Sequence, residues 1–223
     1  SDYYRGGLVA DAFGSLHPAK YHQGLAAATR RAGAQVIDGT RVSGITRDGG
    51  GFLVTTPRGA IKAKEVFVAT NGYTGAEATP ELARRLVPVK SYQIATEPLP
   101  PDLLAEIIPK ARMVSDTRRD LIYTRPSPDG TRLLFGSRPG IFEMSERQAA
   151  KRLYARMVTI WPQLRGVKIT HSWIGSVAMT ADRIAELALC RCITFSRSSA
   201  GSTPANIAGM IAKYFATSFA IEN

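Results

Sequence analysis

The sequence is short of acid, histidine and cysteine: 18 aspartates and glutamates stand against 29 lysines and arginines, with three histidines and two cysteines in 223 residues. The cysteines, Cys190 and Cys192, are one residue apart, too close along a strand or helix for an easy mutual disulfide. No second cysteine pair or nearby histidine completes a ligand set, so no metal site is expected. No run of about 18 apolar residues is present to span a bilayer, and the first residues lack the basic, apolar and small-residue order of a secretory signal. A cytoplasmic location without a membrane partner is the resulting expectation. The sequence also contains no G-x-G-x-x-G turn, the usual strand–turn–helix cradle for a dinucleotide diphosphate.

The acid deficit leaves a formal charge of +11. On one face that charge would indicate a nucleic-acid or anionic-membrane partner. Instead Arg30–Arg31, Arg84–Arg85 and Arg118–Arg119 are separate pairs, without the interleaved aromatics of a single-strand binding platform. Solvated faces explain them, and no nucleic-acid partner is expected. An acidic protein partner covering the charge is a further use.

A hydrophobic content of 44% suits a packed core rather than disorder. Residues 18–33 read as an amphipathic helix, with Pro18 in its first turn, Leu25, Ala26 and Ala28 available for packing, and Gly33 as the stop. AQVI, RVSGIT, FLVTT and AIKA then read as strands, with the Asp48-Gly49-Gly50-Gly51 run as a hairpin turn. Val66 to Ala69 reads as a short buried strand that delivers the Asn71-Gly72 turn to a ligand. Another strand covers 88–96, and the proline cluster at 98–101 precedes a short helix to Ile108. LIYTR and RLLFG flank a Pro-Ser-Pro-Asp-Gly connection and form the clearest hairpin. Ser145 is suited to cap a helix to about Trp161, in which Leu153, Met157, Ile160 and Trp161 recur at helical spacing. Strand character returns over 168–179, and residues 205–216 read as a last helix. Helices and strands do not alternate regularly, so the fold class is α+β (mixed α/β).

Three motifs invite a chemical reading beside a plain one. In ATNGYTG, Ala69 to Gly75, small residues at a strand end allow close approach of a ligand, and Asn71 and Thr74 offer hydrogen bonds; many strands also end in Asn-Gly simply to turn. Tyr123 and Arg125 share a strand face, from which a phenol and a guanidinium could orient an amine substrate's polar tail or a carboxylate, or form an exposed cross-strand pair. In SWIGSVAMTAD, Trp173 is either the wall of a ring site or a core filler. His17, before Pro18, is a base, a neighbour of a bound ring or a residue at a helix entry.

Taken in order, GSLHPAKY and its helix, TRVSGI, ATNGYTG, SYQIATEPL, the Y-T-R hairpin with LLFGSR, and W-x-G with T-x-D resemble the D-amino-acid-oxidase-like superfamily of flavin oxidoreductases. Within it, they are most similar to the amine oxidases that include γ-glutamylputrescine oxidase. The similarity runs from about Tyr3 to Asp182. It implies an antiparallel substrate-domain sheet with flanking helices, plus a partial FAD-binding domain. Residues 1–75 would hold partial FAD-domain elements and the start of the substrate domain, 76–170 the substrate-binding domain, and 171–223 a return to the FAD domain with a divergent carboxy-terminal helix. FAD is the implied cofactor and a small-molecule amine the implied substrate, oxidatively deaminated by hydride transfer to the flavin.

On the cofactor side the resemblance points to Val42, Ala69, Thr70, Asn71, Gly72 and Gly201, and on the substrate side to His17, Tyr123, Arg125 and Trp173. It assigns no dedicated acid or base. Relatives acting on free α-amino acids carry a carboxylate-binding arginine five residues before the T-x-D aspartate, where this chain has Val177; an amine or γ-glutamyl-amine is therefore the expected substrate. The missing glycine-rich turn implies a truncated member that binds FAD weakly alone and is completed by a dinucleotide-binding segment or chain. The alternative is a non-catalytic remnant or binding module without flavin. Beyond Asp182 the sequence departs from the family, with only Gly201 and the helix after Pro204 matching its pattern.

Overall fold

A computed structural model describes residues 3–11, 14–118, 120–138 and 143–180, together with the backbone of 193–194. Asp182, the two cysteines, Gly201 and the expected helix over 205–216 lie outside the described residues. Two compact units result. One holds the described residues of Pro18–Val89 and Ser176–Phe219; the other holds those of Ser1–His17 and Lys90–Gly175.

In the first unit, helix α1 (Pro18–Arg31) opens on its proline and ends on Arg30 and Arg31, where positive charge suits the carbonyl end of the helix. No α1 residue is buried, so the apolar stripe over Leu25, Ala26 and Ala28 packs into no core among the described residues. Strands β1 (Gly44–Asp48), β2 (Gly51–Thr56) and β3 (Gly59–Ala63) form an antiparallel meander in that order. Asp48 pairs with Gly51 across the expected glycine turn, where Gly49 takes a φ of 58°.

Two expectations fail here. The AQVI segment, 34–37, is not a strand: β-forming side chains do not make a strand without a partner for their backbone, and none pairs with this segment among the described residues. Strand β4 is only Phe67–Val68 and pairs with Ile193–Thr194. It is not buried, because a two-stranded ladder leaves Phe67 53% exposed. A 3-10 turn (Asn71–Tyr73) and a four-residue helix α2 (Pro80–Ala83) follow.

The second unit is a five-stranded sheet. Its members are β5 (Leu86–Thr96, from Lys90 onward), β6 (Val114–Ser115), β7 (Ile122–Pro126), β8 (Leu133–Ser137) and β9 (Ile169–Thr180, as far as Gly175), in the order β6-β7-β8-β5-β9. The β6–β7, β7–β8 and β8–β5 pairs are antiparallel. Helices α3 (Pro101–Ile107) and α4 (Glu146–Ile160) supply the core of one face. Leu104, Ile107, Leu153, Met157 and Ile160 cluster there with Tyr92, Ile94, Ile122, Leu133 and Phe135. Burying each large apolar side chain contributes roughly 1.5–3 kcal/mol relative to exposure. The ring of Trp161 meets Phe135 edge-on at 6.3 Å. Alternation along the strands sends Ala95, Leu134 and Trp173 into a smaller, separate cluster. The sheet therefore has a helix-covered face and a second face.

The Ser145 cap forms as the sequence indicates. Its hydroxyl accepts the Gln148 N–H at 3.3 Å and the Gln148 side chain accepts the Ser145 N–H at 3.0 Å, a complete capping box. Ser145→Ala is expected to cost about 1 kcal/mol, read as a lower urea midpoint with an unchanged slope.

Farther along the same helix, the Arg156 guanidinium is bonded to the Asp120 carboxylate. That bond is the main reason the Asp120 carboxyl is held below its ordinary 3.8. A lowered carboxylate stabilises above the unfolded value and loses that contribution as pH falls through the folded one. The pair is partly exposed, so its worth is at most about 1 kcal/mol. Arg156→Gln should therefore reduce stability at pH 7, with the gap from the parent closing below about pH 3.8 in pH-dependent urea unfolding.

Candidate functional site

The four residues expected on the substrate side all fall in the unit containing the five-stranded sheet. Tyr123 faces Gly136 across β7 and β8, while Arg125 faces Leu134. On the next strand, Gly136 faces Gln93 and Leu134 faces Ala95. Directly paired residues share a face, so Tyr123, Arg125 and Gln93 lie on the same second face as the Ala95–Leu134–Trp173 cluster. The strand period thus brings three of the expected residues to one surface.

Gly136 allows this arrangement. A Cβ built there would lie 2.1 Å from Tyr123 Cε2 and 2.8 Å from Gln93 Cγ, well inside van der Waals contact. The Tyr123 ring consequently crosses over β8, and its hydroxyl reaches the Ser91 hydroxyl on β5 and lies 3.5 Å from the Tyr92 carbonyl. Burial pushes the Tyr123 phenol above its ordinary 10.0, with the Ser91 hydrogen bond, the Arg138 charge and the Gln93 hydrogen bond opposing. The phenol therefore stays protonated at neutral pH. It is a donor rather than a base.

Arg125 donates from Nη1 to the Leu16 carbonyl at 2.8 Å. Desolvation by burial lowers its pKa below the ordinary guanidinium value. This bond anchors the peptide immediately before His17, whose Nδ1 is enclosed without a hydrogen-bond partner. Trp173 is buried against Ala95 and Leu134, so its indole acts as packing for the second face.

The expected cofactor-side residues fall in the other unit, with Gly201 outside the described residues. Val42, Ala69 and Thr70 are exposed. Asn71 takes a φ of 46°, and its Oδ1 accepts the Ala178 N–H at 2.9 Å. Tyr73 Oη accepts the Ser176 N–H at 3.3 Å. A Cβ on Gly72 would sit 2.5–2.7 Å from backbone atoms of Ser176 and Val177. The small residue thus admits a backbone, and that backbone is the chain's own. The Thr70 and Thr74 hydroxyls bond one another at 2.7 Å. This pairing of the 71–73 turn with residues 176–178 was not visible in the sequence, because the partners are more than 100 residues apart. Val177, where an arginine would hold an amino-acid carboxylate, is 3% exposed.

Three comparisons bear on this geometry. Residues 1–214 match the family described as FAD dependent oxidoreductase, DAO. The chain belongs to this family. FAD is the family's cofactor.

Among relatives, the chain is 36% identical over 183 residues to the probable oxidoreductase OrdL of Rhizobium meliloti, covering 82% of this chain and 42% of that protein. It is 34% identical over 184 residues to the γ-glutamylputrescine oxidoreductase of Escherichia coli, covering 82% and 43%. The chain thus spans less than half the length of the curated relatives it matches. Glycine oxidase from Geobacillus kaustophilus shares the fold, with a TM-score of 0.57, 24% identity, and coverage of 72% of this chain and 42% of that one. So does the L-proline dehydrogenase from P. horikoshii, at 0.57 and 21% with 74% and 44% covered. The second unit's sheet and helices accord with the α+β class shared with these DAO-family folds.

The 71–73 turn is closed by its own bonds to 176–178, and no glycine-rich turn opens a helix towards a diphosphate among the described residues. The described residues therefore form no diphosphate cradle. Asn71→Ala should therefore act first on the chain itself, speeding hydrogen exchange of the Ala178 amide by about fivefold or more, as expected for loss of a bond worth about 1 kcal/mol or more. Asn71→Asp, which keeps an acceptor, should leave most of that protection.

Proposed function

We propose that this chain forms the substrate side of an amine-oxidising member of the DAO family and acts once a diphosphate-binding segment, in the same polypeptide or a second one, completes the flavin site. The observation that carries the proposal is the alignment of Tyr123, Arg125 and Trp173 on the sheet face opposite the helices. On this reading Arg125 holds the His17 segment through the Leu16 carbonyl, Tyr123 presents a protonated hydroxyl, and the Ala95–Leu134–Trp173 cluster gives the surface an apolar floor. When bound, FAD supplies the acceptor for hydride from the carbon bearing the amine. The protein's task is placement of the substrate.

Support for an amine or γ-glutamyl-amine over a free α-amino acid comes from buried Val177 at the position of the family's carboxylate-binding arginine. The relative named γ-glutamylputrescine oxidoreductase is consistent with that class. No described helix is long and apolar enough to cross a membrane, and a cytoplasmic site of action forms part of the proposal.

The test is flavin retention followed by turnover. The 223-residue chain alone should lose added FAD on gel filtration. Preceded by a strand, a G-x-G-x-x-G turn and a helix, it should remain yellow and release hydrogen peroxide with γ-glutamyl-amines. A completed protein that stays colourless, or that turns over D-amino acids faster than amines, would overturn the proposal.

A further inference from the structure

The second sheet face carries a cation not among the expected site residues. Arg138 follows the end of β8. Tyr92 faces Ser137, so one step farther along this register Arg138 comes opposite Ser91. Tyr123 bonds to Ser91 from the other side, across the gap left by Gly136. Arg138, Ser91 and Tyr123 therefore converge around one glycine, all within the unit that contains the sheet.

Arg138 Nε is enclosed and has no hydrogen-bond partner. An enclosed guanidinium N–H without an acceptor is costly, because water no longer solvates it. The ion pairs among the described residues use Arg41, Lys62, Arg84, Lys90, Arg112, Arg118 and Arg156. Arg138 is in none of them. Beside it stand two hydroxyls, and across the strands at Tyr123 the same face carries Arg125, whose Nη1 donates to the neutral Leu16 carbonyl. This portion of the face is rich in donors and, among these residues, has no carboxylate.

We propose that Arg138, with the Tyr123 and Ser91 hydroxyls, binds a carboxylate carried by the substrate at a distance from its reacting amine. This rests on the proposed function above and narrows its substrate class to amines that also bear a carboxylate. It also assigns the anion to Arg138, just after β8, and not to position 177. A planar guanidinium holds a carboxylate through two N–H groups, whereas a neutral amide supplies only one comparable acceptor and no charge. The site should therefore discriminate charge, not size.

The test needs no flavin. The intact chain is titrated with 4-aminobutyrate and with 4-aminobutyramide while the Arg138 Nε–H resonance is followed by NMR. The carboxylate should move that resonance downfield and bind at least tenfold more tightly than the amide. Arg138→Gln should weaken carboxylate binding at least tenfold with unchanged far-UV circular dichroism, and Arg138→Lys should recover part of the loss. Equal affinity for the two ligands in the parent would overturn the proposal even if the variants fail to fold, as would undiminished binding by a folded Arg138→Gln protein. Carboxylate discrimination without flavin retention by the completed protein would sink the oxidase reading alone. Flavin retention and amine turnover without discrimination would sink this inference alone.

Discussion

The two-sidedness of the β6-β7-β8-β5-β9 sheet is the constraint on which the substrate-side arrangement depends. Side chains alternate along each strand, so packing Phe135 and Leu133 beneath α3 and α4 commits Leu134 and Gly136 to the opposite surface. The same commitment turns Ile122 towards the helices and Tyr123 away from them. A one-residue slip of β7 against β8 would exchange these roles and put a phenol and a guanidinium under α4. The apolar face thus holds the polar face in register. Hydrophobic packing and site geometry are two consequences of one pleat.

Glycine performs a local version of the same task at two sites. At Gly136 the missing side chain leaves room for an aromatic ring, and the ring carries its hydroxyl from β7 to β5. At Gly72 it leaves room for the backbone of Ser176 and Val177, so the Asn71 turn is bonded to residues 176–178 of its own unit. One gap positions a functional group; the other closes the chain upon itself. Neither role follows from glycine content alone.

Charge is likewise distributed by structure more than by composition. The +11 excess includes cations paired at the surface, such as Arg41 with Glu77 at 3.0 Å and Lys62 with Asp48 at 3.2 Å. Exposed pairs of this kind contribute little individually. Arg118, besides pairing with Asp116, lies over the Tyr3 ring at 4.1 Å, where an aromatic face receives it. Arg125 and Arg138 are the informative exceptions, since the first is partly desolvated and the second encloses an unpartnered N–H. Their environment sets them apart from the solvated majority.

Much of the second unit was legible locally. Pro-Ser-Pro-Asp-Gly marked the β7–β8 hairpin, Ser145 and Gln148 marked the start of α4, and Leu153, Met157 and Ile160 showed its buried stripe. These features need only neighbouring residues, since turns, caps and helical faces are set within a few positions. The motif order likewise identified the family and hence its cofactor. By contrast, AQVI had strand composition without a pairing partner among the described residues, and Phe67 had core composition without cover. The joining of Tyr123 to Ser91, of Asn71 to Ala178 and of Arg125 to Leu16 spans 32, 107 and 109 positions. Tertiary structure alone decided these contacts, because strand register and backbone approach depend on the packing of distant segments and not on the residues at either end.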